Sequence, residues 1–293
     1  MPADVAIIWH HDHLVEVDGV GFELGVDPAP TSSPERLRIL KPRWMVEKYL
    51  RLIERDRPAR LFELGIYDGG STVLLALAAR PQRLVAVDLA AAAPSLDRWL
   101  AAPSTPAPIR AAVRPVYGLD QSDKVRLSAL LDAEFGAAPL DLAIDDASHL
   151  LDPTVASFEV VFPRLRPGGV YIVEDWASVH EFERVLLERP ELILQNIDTL
   201  VVEPATPLTR MLFELILAIA YTEVVADIHI ARHWAEIRRG PASIDAATFA
   251  LRDCYARRGA ELLRDPATLP PTDWTVRRDR AGVDAVLEQD LAD

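Results

Sequence analysis

The sequence predicts an α/β fold: a mostly parallel sheet with helices on both faces. Three observations carry that expectation. From Arg60 onward, short apolar runs alternate with helical patterns, the rhythm of βαβ units. The stretch 62–71, F-E-L-G-I-Y-D-G-G-S, reads as a strand running through a glycine-rich loop into an apolar helix. Acidic residues recur where the strands should end, at Asp88, Asp145-Asp146 and Glu174-Asp175, and open α/β sheets bind ligands outside those ends.

Taken in order, 14–24 alternates apolar and polar residues around Asp18-Gly19, a β-hairpin signal. A Pro/Ser-rich linker follows at 27–34, and Pro42 suits the first residue of a helix reaching about Glu54. Strands are expected at 60–65, 83–88, 113–117, 139–146 and 169–175, with helices near 71–79, 123–134 and 153–165. In the last of these Asp152 is placed to cap, Pro153 takes the first turn, and Val155, Phe158, Phe162 and Leu165 line one face. The Ala/Pro-rich 90–108 reads as a variable surface connection. Beyond Pro167-Gly168-Gly169 and its strand, a helix is expected over 206–221, then a strand-rich 224–239 broken at Arg232-His233. The tail from Asp265 is polar and Pro-rich, a surface arm.

Composition narrows the function classes. Half of the 293 residues are hydrophobic, enough for a full core, and the formal net charge of −14 without a basic stripe argues against a nucleic-acid partner. A single cysteine, Cys254, forms no internal disulfide, which fits a reducing cytoplasm. The first residues lack the basic and apolar regions of a signal peptide. The greasiest stretch, 211–226, carries Glu214 and Glu223 and is short for a bilayer span, so no membrane partner is expected.

The glycine loop excludes two phosphate-binding patterns, since neither G-x-G-x-x-G nor G-x-x-x-x-G-K-[ST] is present. What is present, E-x-G-x-x-x-G-G-S from Glu63 to Ser71, resembles motif I of the class I methyltransferases that use S-adenosylmethionine. The acid suits a cofactor bearing an ammonium group, where a pyrophosphate would be repelled. Asp88 stands where an acid accepts from ribose hydroxyls, and Asp120-Gln121 where the adenine should lie. The next two strands end D-D-A-S-H (145–149) and V-E-D-W (173–176). Side chains alternate along a strand, so Asp145 is assigned to the cofactor side and Asp146 to the substrate side. Asp146, Glu174 and Asp175 gathered without counter-charge would raise one another's pKa values, and a hard divalent cation such as Mg2+ resolves this.

With those motifs the chain resembles the magnesium-dependent O-methyltransferase branch, which includes macrolide-sugar O-methyltransferases and cephalosporin-hydroxylase-like proteins, over roughly 41–240. The resemblance implies a seven-stranded Rossmann-like sheet closed by an antiparallel pair at 224–239. Three segments are expected: an N-terminal hairpin and linker at 1–40, the methyltransferase domain at 41–240 that the resemblance covers, and a helical or polar extension at 241–293; the first and last lie outside the resemblance. The resemblance assigns Asp146, Glu174 and Asp175 to the metal and His149 to proton removal. Glu63, Gly65, Tyr67, Gly69, Ser71, Asp88, Asp120, Gln121 and Asp145 go to the cofactor. The expected activity is methyl transfer to a hydroxyl of a small molecule, a natural product or sugar moiety, by a homo-oligomer. The alternatives are a nicotinamide-dependent oxidoreductase, disfavoured because Ile66-Tyr67 replace the second glycine, and a non-catalytic cofactor-binding partner of a biosynthetic complex.

Two further signals are weaker. Trp9-His10-His11-Asp12-His13 resembles a metal cluster, but consecutive residues on a strand diverge and no cysteine supports it, so a polar turn is expected. Trp176 is balanced between stacking on a substrate ring and closing the core rim.

Overall fold

Two sheets organise the residues that the computed structural model describes: 5–26, 32–33, 36–181, 184 and 206–263. The first holds β1 (Ile7–His11), β2 (Leu14–Val17), β3 (Val20–Leu24) and β4 (Arg36–Ile39) in that spatial order. The expected hairpin forms between β2 and β3. It turns at Asp18 and Gly19, whose φ values of 48° and 79° meet the demand of a tight hairpin turn for positive φ. The structure adds a strand on each side, β1 antiparallel to β2 and β4 parallel to β3. This corrects the reading of 9–13 as a polar turn: Trp9 to His11 lie in β1, and the turn is confined to Asp12 and His13. Most of the expected 27–34 linker, and the tail from Asp265, lie outside the described residues.

Pro42 is the N-cap of helix α1 (Arg43–Asp56), which buries Met45, Val46, Tyr49, Leu50, Leu52 and Ile53 along one stripe. The second sheet then builds outward. Its strands are β5 (Arg60–Leu64), β6 (Arg83–Asp88), β7 (Val113–Tyr117), β8 (Leu140–Asp145), β9 (Leu165–Glu174), β10 (Val225–Ala231) and β11 (Trp234–Arg239). Their order is β10-β11-β9-β8-β5-β6-β7, parallel from β7 to β9, with β11 antiparallel to both its neighbours. The connecting helices are α2 (Gly70–Ala79), α3 (Pro94–Ala101), α4 (Ala107–Ala112), α5 (Lys124–Phe135), α6 (Leu151–Val161) and α7 (Thr209–Tyr221). Two expectations are corrected here. The 90–108 connection contains α3 and the start of α4, each opened by a proline. Helix α6 begins at Leu151 with Leu150 as its N-cap, so Asp152 sits inside the first turn and does not cap.

Period-two alternation assigns the strand side chains to two cores. Leu61, Leu84, Ala86, Leu142, Ile144, Val170 and Ile172 pack with α1, α2 and the N-terminal sheet. Phe62, Leu64, Val85, Val87, Ala143, Tyr171 and Val173 pack with α5, α6 and α7. Strand order reverses between β5 and β8, and a crevice opens there at the carboxyl ends of the strands. The chain divides into two compact units, Met1–Tyr255 and Ala256–Asp293; in the second, a helix at Arg257–Leu263 is described. No helix among the described residues is long and apolar enough to cross a membrane.

Candidate active site

A cleft of about 1220 Å³ lies over the ends of β5, β6, β8 and β9. Its walls include the 64–68 loop, Gly70, Ser71, Asp88, Asp120, Gln121, Asp146, His149, Glu174, Asp175 and, from the far side, Lys41 and Trp44. Of the residues expected to hold the cofactor, Gly65, Tyr67, Ser71, Asp88, Asp120 and Gln121 reach this wall; Glu63, Gly69 and Asp145 are not part of it.

The loop is held in place from below. Asp88 accepts from the backbone N–H groups of Ile66 (2.7 Å) and Tyr67 (2.9 Å) through one oxygen and of Ala90 (2.7 Å) through the other. An anionic acceptor for two of its amides fixes the loop that follows β5. Gly65 has φ of +94°, and a Cβ there would overlap the backbone carbonyl of Asp146; at Gly70 it would overlap that of Arg38. The glycines therefore admit close approach of neighbouring backbone, where the sequence suggested approach of a ligand. Glu63 points beneath the loop, 1% exposed, and accepts from the Thr72 hydroxyl at 2.6 Å. Burial pushes its carboxyl up to about 7, against the hydrogen bonds from Thr72 and Ser71 that favour the anion.

Asp145 and Asp146 do face opposite ways, but Asp145 turns away from the cleft. Being next to Ile144, it follows Ala143 onto the α5–α6 side, where it accepts from Ser157 (2.8 Å), Tyr171 (2.8 Å) and Gln121 (3.2 Å). Burial raises its carboxyl to about 6, opposed by the Ser157 and Tyr171 hydroxyls. Gln121 in turn accepts from the Ser148 N–H at 2.8 Å, so this network braces the 146–149 segment from behind. Asp120 accepts from the backbone and hydroxyl of Ser122, which lowers its pKa.

The acid cluster is partly divided. One oxygen each of Asp146, Asp175 and a nitrogen of His149 lie within 4.8 Å of one another, all half-buried, a set that can hold a metal ion. His149 and Asp175 adopt left-handed backbone conformations, φ of 57° and 48°, which turn these two side chains inward after their strands have ended. Glu174 precedes that turn, and the structure places it apart from this set. It faces the α1 side, 1% exposed, accepting from Lys41 (2.7 Å) and from the Tyr49 hydroxyl. Lys41 also donates to Asp146. Burial would lower the Lys41 pKa, but the charges and hydrogen bonds of Asp146 and Glu174 outweigh it and hold the ammonium well above its ordinary range. Lys41 is therefore a fixed cation.

Asp175 is gripped by the β10–β11 turn. Its Oδ1 lies 2.8 Å from Nδ1 of His233, and its N–H donates to the His233 carbonyl at 3.2 Å. Lys41, Tyr49 and His233 were not anticipated, and nothing local in the sequence marks them. Trp176 donates its indole N–H to Ala231 at 2.9 Å and belongs to the core rim. The histidines of β1 do not converge: His10 pairs with Glu16 and Trp9 lies under Arg43.

Residues 62–176 match a family model described as a methyltransferase domain, and they span most of β5 through β9 of the mostly parallel sheet. Two curated relatives share short, well-matched stretches. One is 8-demethyl-8-alpha-L-rhamnosyl tetracenomycin-C 2'-O-methyltransferase from Streptomyces olivaceus, 50% identical over 56 residues, covering 19% of this chain and 14% of the relative. The other is mycinamicin VI 2''-O-methyltransferase from Micromonospora griseorubida, 39% identical over 79 residues, covering 22% and 20%. Among solved structures, a methyltransferase of mycinamycin biosynthesis in complex with Mg, SAH and mycinamycin VI aligns with a TM-score of 0.49 and 22% identity, over 67% of this chain and 50% of that one. The chain thus spans about half the length of that structure, and each curated match covers a fifth or less of the relative.

Proposed function

We propose that this chain is an S-adenosylmethionine-dependent, Mg2+-dependent O-methyltransferase acting on a hydroxyl of a small natural product or its sugar. The observation that carries the reading is convergence: Asp146, His149 and Asp175, which follow β8 and β9, face the same cleft as the Gly65–Ser71 loop. The mycinamicin and tetracenomycin relatives, whose names specify 2''-O- and 2'-O-methylation, support the acceptor class.

The two carboxylates fit a hard divalent cation, because Asp146 and Asp175 bring oxygens within 4.8 Å of one another in a part-open site, with the His149 imidazole beside them. S-adenosylmethionine supplies, when bound, a sulfonium methyl group for in-line displacement, and the cation lowers the pKa of a coordinated hydroxyl. Asp146 and Asp175 would hold the cation; His149 removes the acceptor proton. Asp88 fixes the loop on which the methyl donor rests, and Gln121 and Asp120 border the adenine end. The net reaction converts an alcohol to its methyl ether, with one proton released. A homo-oligomer is part of the same proposal, supported by Phe213, Ile216 and Tyr221, which are exposed on α7.

Incubation with methyl-labelled S-adenosylmethionine and a panel of glycosylated polyketides, with and without chelator, tests the reading. Label should enter an ether and depend on metal. Absence of calorimetric binding of S-adenosylhomocysteine by folded protein would remove its basis.

A further inference from the structure

Lys41 reaches the acid cluster from the link between β4 and α1. Its side chain is 5% exposed and donates to carboxylates at the ends of two different strands, Asp146 after β8 and Glu174 of β9. Asp146 is the shared member. Its Oδ2 is on Lys41, while Oδ1 faces His149 at 3.8 Å. Glu174 is occupied on both oxygens, by Lys41 and by Tyr49. The structure therefore already contains a cation, placed against an acid that the metal reading requires. An ammonium and a divalent ion drawing on one carboxylate repel each other, and in a partly desolvated site that repulsion is poorly screened.

We infer that Lys41 is a built-in competitor for the divalent cation: it holds Asp146 and Glu174 in the metal-free chain and weakens the metal site by its charge. This rests on the metal reading above and adds a positioning residue to it. The arrangement has a clear physical purpose. Without the ammonium, three acids would face one another whenever metal left, and the 146–149 and 174–175 segments would separate or take up protons. With it, the site stays assembled while empty, and the metal remains exchangeable.

The test measures Mn2+ affinity by calorimetry or by the electron-spin signal of free Mn2+, using the metal-stripped full chain without acceptor. Lys41→Met removes the charge and keeps the stem, and should tighten Mn2+ binding at least tenfold. Lys41→Arg keeps the charge and should stay within about threefold of the unaltered chain. Equal or weaker binding by Lys41→Met overturns the inference, because a purely structural lysine would leave affinity unchanged or lower it through disorder. Should Lys41→Met fail to fold, the unaltered chain still decides. It has three lysines, Lys41, Lys48 and Lys124, so its Nζ resonances are few. The Lys41 signal should move as Mg2+ saturates the site; saturation without movement overturns the competition. Failure of every form to bind Mn2+ would instead sink the metal reading itself.

Discussion

Glu63→Gln should stabilise the protein in a pH-dependent way. The carboxyl of Glu63 is buried beneath the glycine loop, with its pKa pushed from 4.5 up to about 7. The folded chain therefore keeps this proton up to about pH 7, while the unfolded chain releases it near 4.5. Between those values the folded state binds one more proton, so this group makes stability fall as pH rises, and above them the deficit is constant. At about 1.36 kcal/mol per pH unit the full deficit is about 3 kcal/mol. Glutamine resembles the protonated acid in shape and still accepts from Thr72. Thermal unfolding followed by circular dichroism should show a gain below about 1 kcal/mol at pH 5, growing to about 3 kcal/mol at pH 8, several degrees in Tm. A gain that is independent of pH, or a loss at pH 8, would refute the account of Glu63 as a buried acid held at an energetic cost.

Asp88→Ala removes the acceptor for two amides of the glycine loop and should weaken S-adenosylhomocysteine binding at least tenfold by calorimetry; undiminished affinity would show that the loop holds its shape alone. Gly70→Ala places a Cβ against the Arg38 carbonyl and should destabilise the fold by roughly 3 kcal/mol or more, read from denaturant midpoints. His149→Ala should leave Mn2+ binding within a few-fold, reduce turnover about 10²- to 10⁴-fold, and recover partly at higher pH; a flat profile would argue against proton removal by this imidazole. Light scattering at micromolar concentration should report an oligomer.

Much of the frame was legible because it is written locally. The strands at 83–88 and 113–117 and the break at Arg232-His233 match the observed elements. The 90–108 connection was misread although Pro94 and Pro106 stand where helices commonly begin, because alanine and proline content masked the helical spacing. At the site, alternation correctly separates Asp145 from Asp146 but says nothing about which face holds the cleft. Ser157 and Tyr171, 12 and 26 residues away, settle that. Lys41 lay further out of reach, its carboxylate partners being 105 and 133 residues along the chain. The acids were visible as a cluster needing positive charge, and the fold supplies part of that charge from a lysine with no local signature.

The antiparallel strand β11 gives the recognisable domain a boundary problem. The family match ends at Trp176, yet β11 covers the outer edge of β9, and the turn before it supplies the His233 that holds Asp175. Lys41 lies outside the match on the other side. A fragment trimmed to 62–176 would carry Asp146, His149 and Asp175 while losing Lys41 and His233, which hold Asp146 and Asp175. It would also present β9, five of whose residues pair with β11 in the intact chain, as a bare strand edge open to pairing between copies. The stretch that the family model matches is therefore shorter than the stretch that holds these side chains in place.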